Sequence, residues 1–490
     1  MAIVGAGAMG RGIAQLLAQA GHAVRLFDQA PGQARDAVDF AAGMIRRQAD
    51  KGQVPSAEAA AAIDRLAVVE RLEDLAGTDL MIEAIVERLE AKRQLFAAAE
   101  AVLGPDAILA TNTSSLSVTA IQAGLARPGR VAGLHFFNPV PLMRVVEVVP
   151  GELTDPSATD TLVALVSGTG HRPVVCRDAP GFLVNHAGRG LPTEGLRCLA
   201  EGVADAATID RVLREQAGFR MGPFELMDLT GLDVSWPVME QIYHQFQQEP
   251  RFRPQWRAAQ RHAAGLFGRK TGRGWYHYDS DKRVDPPEPP PPAARPRAVW
   301  CADADLTARV GALGQPVESG PTPSATALIL LAPWGADASR TAARMGVDPA
   351  RTVAVDPLFA DAKRVVLMTT VATEPAFRDQ AHGLFAASGR AVSVIADSSG
   401  FIAQRVAATI VNIACDIAQA GIAAPADIDP AARLGLGYPE GPLALGDRVG
   451  AARVAAILDA IHVDTGDPRY RVSPWLARRA ALGLPLAAAG

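Results

Sequence analysis

The chain opens MAIVGAGAMGRGIAQLLAQAGHAVRLFD, and no other stretch limits its fold as tightly. Ala2 to Val4 reads as a short apolar strand. Gly5, Gly7 and Gly10 follow at GxGxxG spacing, and Ile13 to Ala20 continues as an apolar-faced helix. Gly21 caps that helix, and Ala23 to Phe27 reads as a second strand ending in Asp28. Strand, glycine turn, helix, strand and terminal acid together describe a dinucleotide-binding unit. The glycines permit a tight turn, close backbone approach to a pyrophosphate, and helix-on-strand packing. The helix N-terminus adds free N–H groups and a positive dipole end. Asp28 can accept both ribose hydroxyls and would repel a 2′-phosphate. No Arg follows it directly, so NAD is expected rather than NADP. The first strand is short enough that the start of the chain reads as clipped.

With 490 residues the chain has room for several domains with sizeable cores. Its net charge of −4 points away from nucleic acid and leaves any anion site to be local. Cys176, Cys198, Cys301 and Cys415 lie far apart, which argues against a structural metal site or a disulfide framework and for a reducing compartment. No apolar run reaches the ~18 residues of a membrane span. The glycine motif occupies the place of a secretory signal, so the expected location is the cytoplasm.

Residues 131–148, VAGLHFFNPVPLMRVVEV, carry the candidate chemistry. A buried strand from Val131 ends near His135, and Asn138 and a Pro follow. Glu147 sits in a second β-branched run, VVEVV. A carboxylate flanked by valines needs a partner if buried, and a histidine at a neighbouring strand end is the natural one. Such a pair presents a neutral imidazole that can take a proton and be stabilised once charged. A core histidine beside an edge-strand glutamate is the plainer alternative. Upstream, 32–66 reads as helical with Arg46, Arg47 and Lys51 clustered. Thr78 to Val86 reads as a strand ending at Glu87, with Lys92 one turn into the next helix. Ala107 to Ala110 reads as a strand followed by Thr111-Asn112-Thr113-Ser114-Ser115, a helix cap or a hydrogen-bonding site.

EAIVE, NTSSL, GLHFFNP, a Glu twelve residues past the His, PGFLVN at 180–185 and GRKTGRGWY at 268–276 occur in that order. In this combination the chain resembles the L-3-hydroxyacyl-CoA dehydrogenase family over residues 1 to about 280. The resemblance implies oxidation of a (S)-3-hydroxyacyl-CoA to the 3-ketoacyl-CoA with NAD, as in fatty-acid β-oxidation or aromatic-acid breakdown. It gives His135 the role of base, Glu147 that of its brace, Ser114 a hydrogen bond to the reacting oxygen, and Asn185 a hold on the substrate carbonyl. Glu87, Lys92, Ser114 and Asn138 would line the nicotinamide–ribose side. Lys270 would be a further cofactor contact, although its stretch reads equally as a basic turn. Arg46, Arg47 and Lys51 would meet the CoA phosphates, if they are not simply a solvated face. Two-copy chains of this length resemble bacterial enzymes acting on 3-hydroxybutyryl-CoA or on dicarboxylic esters such as 3-hydroxyadipyl-CoA. A dicarboxylic substrate needs a cation at the far end of the pocket, and the sequence alone does not place one. A same-fold dehydrogenase of a non-CoA hydroxy acid, and an NADH-binding structural protein with lapsed catalysis, are the competing readings.

The expected architecture is an α/β Rossmann-type domain (1–178), an all-α substrate and dimerisation domain (179–284), a Pro-rich linker (285–297), a small Rossmann-like domain without a glycine fingerprint (298–396), and a second copy of the helical domain (397–490). Gly181-Phe182 recurs as Gly400-Phe401, an offset of 219 that also carries Ile209-Asp210 to Ile428-Asp429 and Gly222-Pro223 to Gly441-Pro442. Duplication explains this without gaps. Gln404 falls where Asn185 stands, so the second copy reads as structural, giving a pseudo-dimer within one chain; a homodimer is the alternative. Gly188, Gly190 and Pro192 are expected to kink the helix after Asn185, because an interior proline costs ~3 kcal/mol.

Overall fold

The computed structural model describes residues 1–488, which form two compact units. The first comprises Met1–His186 together with Ala420–Leu436. Its sheet contains β1 Ala2–Val4, β2 Val24–Phe27, β3 Leu66–Val68, β4 Leu80–Glu83, β5 Ile108–Thr111, β6 Val131–Phe136, β7 Val145–Pro150 and β8 Arg172–Val175. The order is β3-β2-β1-β4-β5-β6-β7-β8, parallel throughout except where β7 runs antiparallel to β6. Strands buried on both faces read as continuous apolar runs, and β4, β5 and β6 are buried at every position. Ile3, Leu17, Leu134 and Phe136 belong to the core on one face, and Val4, Phe96, Leu109 and Ile121 to that on the other.

Two boundaries differ from expectation. Helix 32–66 is two helices, Gln33–Asp50 and Ser56–Asp64, parted by a turn in which Gly52 takes φ 67°. The strand expected to reach Val86 stops at Glu83, because the Ile85 N–H turns inward to the Glu83 carboxylate at 2.7 Å. The unit is completed by a helix from far along the chain, Pro425–Leu436. A Cβ on Gly435 would stand 2.7 Å from Val184, and Arg172 reaches Asp427 at 2.9 Å, so this helix lies against the β7–β8 edge.

The second unit comprises Ala187–Gln419 and Gly437–Ala488. The predicted interruption after Asn185 is present: Val184–Ala187 is one helical turn, and a new helix runs Gly190–Ala200. Pro192 falls in the first turn of that new helix, where a missing N–H costs nothing. Gly190 is required by packing, since a Cβ there would meet Ile410 at 2.8 Å. The first helical copy closes on a hairpin, β9 His277–Asp279 and β10 Lys282–Val284, rather than on helix.

After the Pro-rich run comes a five-stranded sheet of β11 Val299–Cys301, β12 Leu328–Leu331, β13 Thr352–Val355, β14 Arg364–Thr369 and β15 Ala391–Ile395, in that order. Its pairings are parallel, parallel, antiparallel, parallel, the same series as β4 through β8. Glu147 pairs with Val174, and 219 residues on Val366 pairs with Ser393. The duplication therefore extends beyond the helices. The second α/β layer repeats the first from β4 onward and lacks the β1–β2–β3 half that carries the glycine turn.

Within this unit the two helical copies meet as an isologous pair meets. A Cβ on Gly218 would lie 3.8 Å from Pro439, and one on its equivalent Gly437 3.6 Å from Arg220, the equivalent of Pro439. Helix Ile402–Gln419 packs on Gly190–Ala200, and the buried Arg405 guanidinium holds the buried Glu194 at 2.7 Å while the Tyr470 hydroxyl donates to the same carboxylate. Removing one partner of such a pair costs ~3–5 kcal/mol. Gly190→Val should lower stability by about 1–3 kcal/mol in urea unfolding, because the helices cannot separate freely. Gly43→Ala, at a helix position with open space around it, should be neutral or stabilising by up to about 1 kcal/mol.

Candidate active site

The glycine turn divides its labour visibly. Gly5 takes φ 105° with the Ala84 carbonyl 2.5 Å from where a Cβ would stand, and a Cβ on Gly10 would collide with the Gly5 carbonyl. Gly7 has nothing within 4 Å. Its smallness therefore serves no internal contact and leaves the helix N-terminus open to a ligand. Beside it lies a cavity of about 790 Å³ lined by Gly5, Gly7, Phe27, Asp28, Ala84 and Val86 among others. Asp28 accepts the Ala6 N–H at 2.8 Å and the Ala30 N–H at 2.9 Å, which fixes its carboxylate at the end of β2. The turn, the open N-terminus and this acid fit an adenine dinucleotide.

His135 and Glu147 face each other across the antiparallel β6–β7 pair, with Nδ1 to Oε2 at 2.5 Å. Glu147 has no exposed surface and His135 almost none. The other carboxylate oxygen accepts the Leu183 N–H at 2.8 Å and the Val184 N–H at 2.7 Å. These donors converge because Gly181 and Phe182 both take left-handed dihedrals, φ 73° and 50°, forming a small anion-binding nest. A phenylalanine there is strained, and its ring is T-shaped to the His135 imidazole at 5.8 Å. Asn112 accepts the Phe136 N–H at 2.8 Å and fixes the strand beside the histidine.

Around this pair the structure gathers part of the expected set. Asn185 donates to the Ser114 carbonyl at 3.4 Å. One oxygen of Glu87 accepts from the Thr113 and Ser115 hydroxyls, the Ser114 and Ser115 N–H groups and, more weakly, the Ser114 hydroxyl. Burial pushes the Glu87 pKa up, but nearby Lys92 and these donors outweigh it and hold it below the usual carboxylate value. Asn138 lines an apolar cleft with Arg11, Phe40 and Met44. Lys92, expected on the nicotinamide–ribose side, is fully buried, bonded to Glu83 at 2.6 Å and Glu87 at 3.3 Å. Lys270 is held by Asp233 at 2.5 Å and lies close to Gly231. Arg46, Arg47 and Lys51 stand exposed at the end of helix Gln33–Asp50.

Sequence reasoning missed Glu83, which ties Lys92 to the Thr111 hydroxyl at 2.7 Å, and the Leu183 and Val184 N–H groups. Glu83 carried the same signal as Glu147, a carboxylate inside an apolar strand. Backbone donors carry none.

The second α/β layer shows the same positions without the chemistry. Counting from β5 and β12, Ser114 becomes Trp334. Asp356, whose N–H bonds the Val366 carbonyl, stands where His135 does, and Val366 replaces Glu147. Gln404, in place of Asn185, accepts the Gly335 N–H at 2.7 Å and donates to Asp356 at 2.8 Å. Gln216 donates to the other Asp356 oxygen, and burial raises this acid to about 6. Gly400 keeps the left-handed turn, but Phe401 does not.

A doubly wound sheet with this nucleotide pocket and a buried His/carboxylate pair defines an NAD-dependent oxidoreductase acting on a CH–OH group. The model for "3-hydroxyacyl-CoA dehydrogenase, NAD binding domain" matches residues 1–179, and that for the C-terminal domain matches 181–278 and again 400–489. The chain belongs to the 3-hydroxyacyl-CoA dehydrogenase family. It is 36% identical over 482 residues to a 3-hydroxyadipyl-CoA dehydrogenase of Escherichia coli, covering 98% of this chain and 97% of that one. The crystal structure of a 3-hydroxybutyryl-CoA dehydrogenase from E. coli superposes with a TM-score of 0.87 at 34% identity, covering 98% of both chains. The mitochondrial hydroxyacyl-coenzyme A dehydrogenase of Sus scrofa is 37% identical over 282 residues, 56% of this chain and 90% of that one. The resemblance drawn from the sequence motifs is thereby borne out, as are NAD and the reaction class. No helix among the described residues is long and apolar enough to cross a membrane. Gly7→Val should leave the melting temperature unchanged, since nothing lies within 4 Å, while weakening NADH binding by about tenfold or more in a fluorescence titration.

Proposed function

We propose that this chain oxidises the 3-hydroxyl of a short dicarboxylic acyl-CoA of the 3-hydroxyadipyl type, with 3-hydroxybutyryl-CoA as a poorer substrate. The observation that carries the catalytic assignment is the buried His135–Glu147 bond with its two backbone donors. Near full-length similarity to a relative named for 3-hydroxyadipyl-CoA supports the choice of ester. Glu147 occupies Nδ1 of the imidazole, so Nε2 is the nitrogen left to receive a proton. His135 takes the hydroxyl proton as the C3 hydrogen leaves with its electron pair. Glu147, kept from moving by the Leu183 and Val184 N–H groups, stabilises the imidazolium. NAD, when bound, supplies the hydride-accepting ring. Ser114 is assigned to the reacting oxygen, and Asn185, tied to the Ser114 carbonyl, to the substrate carbonyl. Asp28 and Glu87 hold the cofactor's ribose hydroxyls. Arg46, Arg47 and Lys51 are exposed cations suited to the CoA phosphates.

The chain order 1–178, 179–284, 285–297, 298–396 and 397–490 is read as a fused pair of family subunits, the second of which has lost its nucleotide half. The isologous contact of the two helical copies supports a pseudo-dimer that needs no second chain. The proposed location is the cytoplasm. His135→Gln and Glu147→Gln should each lower kcat about 10²–10⁴-fold with NADH affinity nearly unchanged; turnover close to wild type in either variant contradicts the assignment. Light scattering should give the mass of one chain, and a dimer formed through residues 181–280 contradicts the pseudo-dimer.

A further inference from the structure

The second α/β layer repeats the first sheet from β4 onward, so it shows which residues that sheet needs merely to form. Glu83 ends β4 opposite Thr111, which ends β5. Counting from the Val299–Leu328 pair, which matches Leu80–Ile108, the same places in the second layer hold Ala302 and Leu331. The sheet therefore closes there without a charge or a hydroxyl. Only the layer with the glycine turn carries them.

In that layer they belong to a closed ring of polar contacts. One oxygen of Glu83 accepts from Lys92 at 2.6 Å and from the Ile85 N–H at 2.7 Å, and the other accepts the Thr111 hydroxyl at 2.7 Å. The Thr111 oxygen accepts the Thr113 N–H at 3.2 Å, and the Thr113 hydroxyl donates to Glu87 at 2.7 Å. Lys92 closes the ring on the second Glu87 oxygen at 3.3 Å. Glu83, Lys92, Thr111 and Thr113 are buried, and Glu87 alone of the five is open, with 35% of its side chain exposed. The ring also abuts the glycine turn, since Glu83 pairs with Val4 and the next residue, Ala84, crowds Gly5.

A buried ion pair is a poor means of stabilising a fold, because an apolar pair of similar volume does as well or better. What this pair supplies is placement. Donors from Thr113, Ser114 and Ser115 meet one Glu87 oxygen and Lys92 meets the other, so the carboxylate is held from both sides. The charged groups that meet it are Lys92, from helix Leu89–Val102, and behind Lys92 the β4 residue Glu83; the loop after β5 presents only hydroxyl and N–H groups.

We propose that Glu83 and Lys92 are positioning residues that hold the Glu87 carboxylate in place for the cofactor's ribose and, through Glu87, set Ser114 toward the reacting oxygen. This rests on the cofactor contacts and the reaction proposed above. It also accounts for the divergence of the two layers, because a layer without a nucleotide turn has no ribose to hold.

The test uses the full-length protein with Glu83→Leu and Lys92→Met combined, and with Glu83→Ala alone. NADH affinity is read by fluorescence titration from about pH 5 to 8, beside the melting temperature and kcat at saturating NAD. The apolar pair should melt at or above the wild-type temperature. Its NADH affinity should fall about 10-fold at pH 8. The acid limb of binding should move up by about one pH unit or more, because burial of Glu87 is then opposed by neutral donors alone. Its kcat should fall about 10-fold through misplacement of Ser114. Glu83→Ala, which leaves Lys92 beside Glu87, should weaken NADH binding about 10-fold without raising the acid limb. Wild-type affinity in the apolar pair, or weaker binding with the acid limb unmoved, overturns this inference while leaving the reaction standing. If the pair does not fold, Glu83→Ala decides, and unchanged affinity there overturns it. Wild-type protein that neither binds NADH nor oxidises a 3-hydroxyacyl-CoA overturns the reaction and this inference with it.

Discussion

The buried bond between His135 and Glu147 is the constraint that organises the catalytic unit. An ionised carboxylate inside a β-sheet is costly unless every lone pair is met. Here β6 must run against β7 so that the imidazole lies opposite one oxygen, and the chain after β8 must turn through Gly181 and Phe182 so that two N–H groups reach the other. The strained phenylalanine follows from that requirement, whereas the antiparallel β6–β7 pairing supplies the register it uses. The second α/β layer shows what remains without it. It keeps the antiparallel strand, which is topology, and loses the strained phenylalanine, because Val366 asks for no donors.

Carrying two helical copies in one chain changes what an interface can do. In a homodimer every contact residue occurs twice, so a feature useful on one side is imposed on the other. In this chain Arg405 grips Glu194, yet the equivalent positions are His186 and Ile413, a pairing no symmetric dimer could carry alone. The second layer is asymmetric in the same way. Asp356, at the register of His135, now binds Gln404 and Gln216, so an acid from the second sheet anchors the helix end of the first copy.

Much of this was legible in the sequence because it is local. The glycine turn and its acid, the strand-end histidine and the 219-residue offset are patterns of residue type at fixed spacing. The kink after Asn185 was legible for the same reason, but its cause was not: Gly190 is small because Ile410 arrives from 220 residues away. Lys92 looked like a ligand contact because its spacing from Glu87 places it near a strand end. Its burial against Glu83 depends on the depth of the helix against the sheet, which spacing does not encode. The repeat of the sheet was hidden because strand order and direction were kept while side chains drifted. Backbone donors such as Leu183 and Val184 leave no trace in residue type at all.

The account depends most on a short, buried, donor-fixed hydrogen bond between imidazole Nδ1 and a carboxylate. Proton NMR of histidine-¹⁵N-labelled enzyme reads that bond directly. A strongly downfield, exchange-protected N–H resonance should be present in the wild type and disappear in Glu147→Gln and in His135→Gln. Absence of such a resonance in the wild type, or its survival in either variant, would contradict the pair on which the proposed chemistry rests.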